Sequence, residues 1–354
     1  MWLKKFVKVW KERGPIVIAK NVGAGILGLG MYVPERLVTN DDLASIVDTN
    51  DEWIYSRTGM KERYFSSEGQ ATSDLAIEAG KRALADAKVN PEELDLIIVA
   101  TCTSDHICPS TAALVQHGLG AVNAGAFDIS AACSGFVYSF TVASQMIISG
   151  LYKKILVIGA EAMSKFLNEE DRGTLILFGD GAGAAVVGEV EAGYGYLSSH
   201  LGADGSGRDS IYIPAGGSRE PLTQEVLEKR RQFFTMSGTD VFKFAVKMMG
   251  ETAKKTMEKG NLQSEDISML IPHQANMRII QASAKRLGLP DEKVYVNIHK
   301  YGNTSGASIP IALCEARNEG KIKEGDVLLC VGFGSGLTWA GCAMRWGKGG
   351  KKID

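Results

Sequence analysis

Apolar and polar positions follow a pattern that occurs twice along the chain. Residues 88–101, KVNPEELDLIIVAT, and residues 259–274, KGNLQSEDISMLIPHQ, each pass from a polar helix end through an acidic turn into a short apolar run. A short apolar run bounded by turn residues is typical of a buried strand. Each segment therefore predicts a helix that leads into a buried strand, and the recurrence predicts an internal duplication.

A second unit also recurs. FDISAACSG at 127–135 and VNIHKYGNTSG at 296–306 each run from a strand into a turn of small residues. The helices that follow carry apolar residues on nearly every face, which predicts burial between layers. Further pairs are the strands ILVIGA and VLLCVGF and the Phe-Gly turns FGDGAGAAVVGEV and FGSGLTWAGCAMRW.

The spacing within this second unit is also repeated. Seventeen positions separate Cys133 from Gly150, and seventeen separate Asn303 from Gly320, so we interpret Cys133 and Asn303 as equivalent positions. If the halves pack about a pseudo-twofold axis, the N-termini of the two buried helices meet. The duplication then predicts one pocket that contains both residues.

The chain before the first half has a character of its own. Within residues 1–13 one helical face carries the apolar residues Trp2, Leu3, Phe6, Val7 and Trp10. The lysines lie on other faces, so the segment predicts a basic amphipathic helix within an extension that spans residues 1–21. Packing on its own domain is the favoured interpretation, and docking to a membrane surface or a partner is the alternative.

Composition narrows the class of protein. The 354 residues are 45% hydrophobic and 23% charged with a net charge of −2, which is typical of a globular protein and gives no global signal for nucleic-acid binding. Six cysteines without a C-x-x-C pair indicate reduced thiols and a cytoplasmic location.

The duplication also suggests where the parts of the chain begin and end. We expect an N-terminal half at 22–192, a C-terminal half at 193–347 and a tail at 348–354.

One motif is set aside. Gly23, Gly25 and Gly28 form G-x-G-x-x-G, which binds dinucleotides where it joins a strand to a helix. The following stretch contains Gly30 and Pro34 and predicts strand and loop, so nicotinamide binding is not expected.

Cys133 is the candidate nucleophile. It stands among small residues at the start of a buried helix, where the helix N-terminus favours a thiolate. A buried cysteine is more often an inert core residue, but the repeat symmetry favours the catalytic interpretation.

Two further residues join it as candidates. His273 follows an apolar strand in IPHQAN, and Asn303 lies in YGNTSG. Each could be purely structural, His273 as a hydrogen-bonded residue near a helix start and Asn303 as a helix cap. Together, however, a thiolate and two hydrogen-bond donors suit carbon-carbon bond formation between thioesters, in which a malonyl thioester loses carbon dioxide to give an enolate. The backbone N–H groups of Cys133 and Ser335 are the candidate oxyanion hole.

These residues sit in motifs that carry a resemblance. The segments AACSGF, DRGT, FGDGAGA, PHQAN, HKYGNTSGASIP and FGSGLTW resemble β-ketoacyl-ACP synthase III of the thiolase superfamily, over about residues 22–346. The resemblance implies a thiolase fold with two α/β halves in a five-layered αβαβα arrangement. It implies that Cys133 takes an acyl group from CoA and that His273 and Asn303 promote decarboxylation of malonyl-ACP, with no cofactor or metal.

The resemblance also implies binding sites. Thr49, Trp53, Arg57, Arg172 and Asn276 are expected to hold CoA. The candidate docking residues for the acyl carrier protein are Arg278, Lys285 and Arg286. Surface anchors, ion pairs and a solvated helix face are the corresponding structural interpretations.

Two residues concern the acyl pocket. Phe178 matches an acyl-pocket position of the family, and its structural alternative is a core aromatic. Cys108 stands where some members carry a phenylalanine that closes the pocket from the dimer partner. A homodimer with a deeper pocket, tolerant of primers longer or more branched than acetyl, is therefore expected.

Two other functions stay open. One is a related condensing or acyl-transfer enzyme of secondary metabolism, for which the segment 216–234 is where an acceptor difference would lie. The other is a silent partner that binds acyl carrier protein. The presence of the Cys, His and Asn set disfavours the silent partner.

Overall fold

The computed structural model describes residues 22–347, and every statement below refers to them. The extension at 1–21, with its predicted amphipathic helix, and the tail at 348–354 lie outside this range. No helix within residues 22–347 is long and apolar enough to cross a membrane.

The described residues form thirteen strands and eleven α-helices. The strands are β1 Gly23–Tyr32, β2 Arg36–Thr39, β3 Glu62–Phe65, β4 Leu96–Ala100, β5 Gly125–Ile129, β6 Lys154–Glu161, β7 Gly181–Val190, β8 Gly195–Ala203, β9 Ile211–Tyr212, β10 Thr235–Met236, β11 Met269–Pro272, β12 Val327–Gly334 and β13 Thr338–Arg345. The helices are α1 Asn40–Ala44, α2 Asp51–Thr58, α3 Thr72–Ala87, α4 Thr111–Leu119, α5 Gly135–Ile148, α6 Arg172–Leu175, α7 Gln224–Glu228, α8 Gly238–Lys259, α9 Met277–Leu287, α10 Ile298–Tyr301 and α11 Ser308–Asn318.

Two sheets repeat one strand order. Sheet A has the order β1-β7-β6-β4-β5, and sheet B has the order β8-β13-β12-β11. In each sheet a parallel pair, β4 with β6 or β11 with β12, is followed by antiparallel neighbours. A single parallel bridge from Leu270 to Val294 occupies the place in sheet B that β5 holds in sheet A. The predicted duplication is confirmed.

The sheets and helices stack in five layers. Helices α3 and α4 cover the outer face of sheet A, α5 and α11 lie between the sheets, and α8 and α9 cover sheet B. The predicted αβαβα arrangement is confirmed. Nine of the fourteen residues of α5 are buried, as its apolar faces predict. The three glycines of the G-x-G-x-x-G motif lie within β1, with no helix directly after it.

The two central helices begin with matching turns. A 3₁₀ turn at Ala132–Ser134 precedes α5, and one at Ser305–Ala307 precedes α11. Ala132 has a φ of 46° and Ser305 a φ of 48°, a left-handed conformation that is uncommon for residues other than glycine. These turns contact each other at the centre of the molecule.

The predicted equivalence of Cys133 and Asn303 is wrong by three residues. The matching turns pair Ala132 with Ser305, and therefore Cys133 with Gly306. The equal spacing to the two helix ends arises because α11 has eleven residues and α5 has fourteen. Asn303 lies before the turn, in the approach to it.

Each turn packs against a glycine on a central strand. A Cβ atom on Gly159, in β6, would lie 2.2 Å from the carbonyl oxygen of Gly306. A Cβ atom on Gly332, at the same position in β12, would lie 3.2 Å from the carbonyl oxygen of Cys133. Glycine is therefore needed at position 159, and the contact at position 332 is tight.

We expect Gly159→Ala to destabilise the protein by about 1–3 kcal/mol, because the added methyl group meets buried backbone that has no space to move. The midpoint of thermal unfolding measures the effect. Gly217→Ala is the matched control, since a Cβ atom there meets nothing within 4 Å. If both variants unfold at the wild-type temperature, the close contact between the halves is not a packing constraint.

Candidate active site

The nucleophile candidate is buried but reachable. Cys133 lies in the 3₁₀ turn that precedes α5, and it lines a cavity of about 200 Å³. Burial raises the pKa of its thiol to about 12, although a hydrogen bond with Ser305 acts in the opposite direction. The thiol donates to Ser305 Oγ at 3.3 Å. At neutral pH the resting thiol therefore keeps its proton and needs a route for losing it.

The cavity brings the three predicted catalytic residues together. Cys133, His273 and Asn303 all line it, and Phe178 is part of its largely apolar wall. The prediction that Cys133 and Asn303 share one pocket is confirmed. Phe178 packs edge-on against Phe234 with ring centroids 5.0 Å apart, so this position is both a core contact and a cavity wall.

His273 is held as a neutral donor. It follows β11 and is buried, and burial lowers the pKa of its ring to about 3. Its Nδ1 lies 2.6 Å from Ser308 Oγ, which also accepts the backbone N–H of Gln274 at 3.4 Å. A Ser308 hydroxyl that donates its proton to Nδ1 leaves the ring proton on Nε2, and this is the tautomer that we expect.

Asn303 is oriented by hydrogen bonds with backbone groups around it. Its Oδ1 accepts the backbone N–H of Ser305 at 2.8 Å, as a cap of the turn would. Its backbone N–H donates to Leu177, and its carbonyl accepts from Gly179. Because the amide oxygen is engaged, Nδ2 is the group left to donate hydrogen bonds in the cavity. Asn303 is thus both a cap and a candidate donor.

The oxyanion-hole candidates differ in their placement. A Cβ atom on Gly334 would lie 2.6 Å from the Cys133 backbone nitrogen, so glycine leaves the space beside this nitrogen open. Gly334 lines the cavity, whereas its neighbour Ser335 does not. The Ser335 hydroxyl donates to the carbonyl of Ile211 at 2.5 Å. The role of the Ser335 backbone N–H stays a prediction.

The predicted CoA residues form a path to the cavity. The Trp53 ring, on α2, has two guanidinium carbons close to its centroid, that of Arg57 at 4.3 Å and that of Arg172 at 4.6 Å. Asn276 Nδ2 donates to the carbonyl of Arg57 at 3.0 Å, and Asn276 also lines the cavity. The buried hydroxyl of Thr49, close to α2, has no partner among residues 22–347. Aromatic, cationic and polar groups thus lead from the surface to Cys133.

The remaining predicted residues lie on the surface. Arg278, Lys285 and Arg286 are exposed on α9, and Arg286 lies 3.7 Å from Glu251. Within residues 22–347, no carboxylate lies within 4.0 Å of Arg278 or Lys285. Cys108 is exposed and does not line the cavity of its own chain. Its predicted role therefore depends on a partner subunit.

Four polar residues behind the cavity were not predicted. Ser308 contacts His273, and Ser305 contacts both Cys133 and the fully buried Glu161. Cys102 donates its thiol to Glu161 at 3.2 Å. Glu161 could have been noticed from sequence, because it is a charged residue directly after the apolar run ILVIGA at 155–160.

Comparison with known proteins identifies the family. The model of 3-oxoacyl-[acyl-carrier-protein (ACP)] synthase III matches residues 127–205, and the model of its C-terminal part matches residues 257–346. A β-ketoacyl-[acyl-carrier-protein] synthase III of Caldanaerobacter subterraneus subsp. tengcongensis is 57% identical over 331 residues, 94% of this chain and 100% of that protein. The chain belongs to the β-ketoacyl-ACP synthase III family. It is thus a condensing enzyme of the acyltransferase type, and the predicted family and enzyme class are confirmed.

Other members agree with this assignment. The Clostridioides difficile synthase III is 58% identical over 326 residues, 92% of this chain and 99% of that protein. The crystal structure of the Aquifex aeolicus synthase III, at 47% identity, covers 92% of this chain and 100% of that chain with a TM-score of 0.85. A priming β-ketosynthase of the R1128 polyketide pathway, at 35% identity, covers 93% of this chain and 97% of that chain with a TM-score of 0.86. The predicted thiolase fold is confirmed.

We expect the His273 ring to stay neutral, with its proton on Nε2, from about pH 5 to pH 8. The reason is that burial lowers its pKa to about 3, far below that range. Nitrogen NMR of histidine-labelled protein measures both the charge and the tautomer, with the unfolded protein in denaturant as the titrating control. Ser308→Ala should introduce the Nδ1–H tautomer. A ring that protonates near pH 6.5, or a tautomer unchanged by Ser308→Ala, would contradict the assignment.

Proposed function

We propose that this enzyme condenses an acyl-CoA primer with malonyl-ACP to give a 3-oxoacyl-ACP, CoA and carbon dioxide, and that Cys133 carries the acyl group between the two steps. Such a reaction initiates fatty acid biosynthesis. The observation that carries the proposal is the shared cavity, in which one thiol and two neutral N–H donors meet at the end of the path from Trp53.

In the first step, Cys133 attacks the carbonyl carbon of the acyl-CoA thioester. The carbonyl oxygen of the tetrahedral intermediate accepts the backbone N–H groups of Cys133 and Ser335, and CoA leaves as its thiolate. The open space that Gly334 leaves beside the Cys133 nitrogen supports this placement of the oxygen. An acyl thioester on Cys133 remains.

In the second step, the malonyl thioester oxygen accepts hydrogen bonds from His273 Nε2 and Asn303 Nδ2. The bond to the carboxylate breaks, carbon dioxide leaves, and the charge becomes an enolate that these donors stabilise. The enolate carbon attacks the Cys133 thioester and releases the cysteine sulfur. Support comes from the Ser308 contact that orients His273 and the Ser305 contact that orients Asn303.

The partners follow from the same proposal. We infer that an acidic acyl carrier protein docks on the exposed cations Arg278, Lys285 and Arg286, which lie on the helix that Asn276 caps. We also infer that the enzyme works in the cytoplasm as a homodimer, in which the exposed Cys108 of one subunit borders the acyl pocket of the other.

We expect intact-protein mass to show an acyl adduct on the wild type, but not on Cys133→Ser, after mixing with acyl-CoAs of different lengths. Malonyl-ACP should then discharge it. Cys108→Ser is the matched control and should still be acylated, because Cys108 lies outside the cavity of its chain. An adduct that malonyl-ACP does not remove would indicate another acceptor, as in an enzyme of secondary metabolism.

The same acyl-CoA series tests the depth of the acyl pocket. Some members of the family carry a phenylalanine at the position of Cys108, and the smaller cysteine side chain leaves a deeper acyl pocket. We therefore expect primers longer or more branched than acetyl to form the adduct. A strict preference for acetyl-CoA would contradict this.

We expect Trp53→Ala to raise KM for acyl-CoA by about tenfold and to change kcat little. The reason is that stacking of an aromatic side chain on a base, here the adenine of CoA, contributes about 1–3 kcal/mol to binding. Steady-state kinetics with varied acyl-CoA measures both parameters. Tyr55→Ala is the control, since Tyr55 is an exposed aromatic on the same helix. An unchanged KM in Trp53→Ala would remove Trp53 from the CoA site.

A further inference from the structure

Cys133 is the first member of a directed chain of hydrogen bonds. Its thiol donates to Ser305 Oγ at 3.3 Å, and the Ser305 hydroxyl donates to Glu161 Oε1 at 3.0 Å. A hydroxyl has one proton, so donation to the carboxylate leaves the serine oxygen as the acceptor of the thiol. The chain therefore runs in one direction, from sulfur to carboxylate.

Glu161 is an uncommon group to find in this place. Its side chain is fully buried at the carboxyl end of β6, and within residues 22–347 no Lys, Arg or His lies within 4.0 Å of its carboxylate. It accepts the backbone N–H of Cys102 at 3.1 Å, the hydroxyl of Thr103 at 2.6 Å and that of Thr101 at 3.1 Å. These donors offset part of the desolvation of a buried carboxylate, which is large when no cation is present.

The reaction needs an acceptor for the thiol proton. His273 is a poor one, because burial lowers the pKa of its ring and its Nδ1 is engaged by Ser308. No hydrogen bond joins His273 to Cys133 in the described part of the chain. The hydrogen-bonded route from the sulfur leads instead to Ser305 and Glu161.

Electrostatics favours transfer along this route over simple ionisation. Burial raises the pKa of Cys133, and the nearby Glu161 charge raises it further. A thiolate beside an ionised Glu161 would place two negative charges in one buried site. If the proton moves to Glu161, only one charge is present at any time. Burial also raises the pKa of Glu161, which favours its protonated form.

We propose that Glu161 is a positioning residue that, through Ser305, aligns the Cys133 thiol and takes up its proton during acyl transfer. As the sulfur lone pair attacks the thioester carbon, the S–H proton passes to Ser305 Oγ, the Ser305 proton passes to Glu161 Oε1, and CoA leaves as its thiolate. When the enolate displaces the cysteine sulfur, the proton returns along the same path. The proposal rests on the proposed function.

The titratable groups that face this carboxylate are Cys102, whose thiol donates to Oε1, and Cys133, which reaches it through Ser305. Cys102 also lies 3.8 Å from Ser305 Oγ. Burial raises the pKa of Cys102 well above its usual value, so this thiol stays protonated around neutral pH. Cys133 lines the cavity and Cys102 does not, so Cys133 is the thiol that can react with a substrate and lose its proton to the carboxylate.

The test compares single-turnover acylation of Cys133 by acyl-CoA, as a function of pH, in the wild type, Glu161→Gln and Ser305→Ala. Acylation is measured on the Cys133 peptide by mass spectrometry, so that any reaction of the exposed Cys108 is not counted. We expect each variant to be slower by about 10²-fold near neutral pH and to speed up steadily as pH rises. Because both variants break the same route, the double variant should be no slower than either single one.

A purely structural role makes a different prediction. Removal of the Glu161 charge alone would lower the pKa of Cys133 and make Glu161→Gln faster. A faster or unchanged Glu161→Gln, or a Ser305→Ala that acylates at the wild-type rate, would overturn the proposal. Ser305→Ala retains Glu161 with its Cys102, Thr101 and Thr103 contacts, so a wild-type rate in this variant excludes the relay even if Glu161→Gln does not fold.

Alkylation of Cys133 by iodoacetamide separates this proposal from the proposed function. The reaction needs the same loss of the thiol proton but no CoA or carrier protein. If no acyl-CoA acylates the wild type, the proposed function fails, but slower alkylation of both Ser305→Ala and Glu161→Gln than of the wild type still supports the relay. Equal alkylation rates in all three would exclude it.

Discussion

The contact between the two central turns is the constraint on which the rest of the structure depends. Each buried helix starts in a turn that presses on a glycine of a central strand, Gly306 on Gly159 and Cys133 on Gly332. The approach to Gly159 is possible only without a side chain there, and the approach to Gly332 leaves little space for one. The contact between the turns sets the separation of the sheets and brings the starts of α5 and α11 together. The cavity lies where this contact places the two turns.

Burial in the central layer has an electrostatic consequence for every group that the site uses. It raises the pKa of Cys133, lowers that of His273 and raises that of Glu161, so each of the three is pushed towards its neutral form. Polar contacts behind the cavity, through Ser305 and Ser308, then orient Cys133 and His273. The Glu161 carboxylate, to which Ser305 donates, is the charged group behind these contacts.

Sequence patterns predicted the duplication, the buried helices and the meeting of Cys133 and Asn303, because these follow from periodicity and symmetry. They misplaced the residue equivalence, since spacing counted from the helix ends cannot detect that α11 is three residues shorter than α5. They also missed the contact of Glu161 with Ser305, which lies 144 positions away along the chain. Only the packing of one half on the other brings such residues together.

The neutrality of His273 and Asn303 suits the proposed decarboxylation better than a cation would. Malonyl-ACP begins with its charge on the carboxylate and passes it to the thioester oxygen as carbon dioxide leaves. A cation near the carboxylate would stabilise the ground state and so slow that transfer. Neutral N–H donors at the thioester oxygen strengthen their bonds only as the enolate develops. A histidine whose pKa is lowered to about 3 therefore keeps donating without competing for the starting charge.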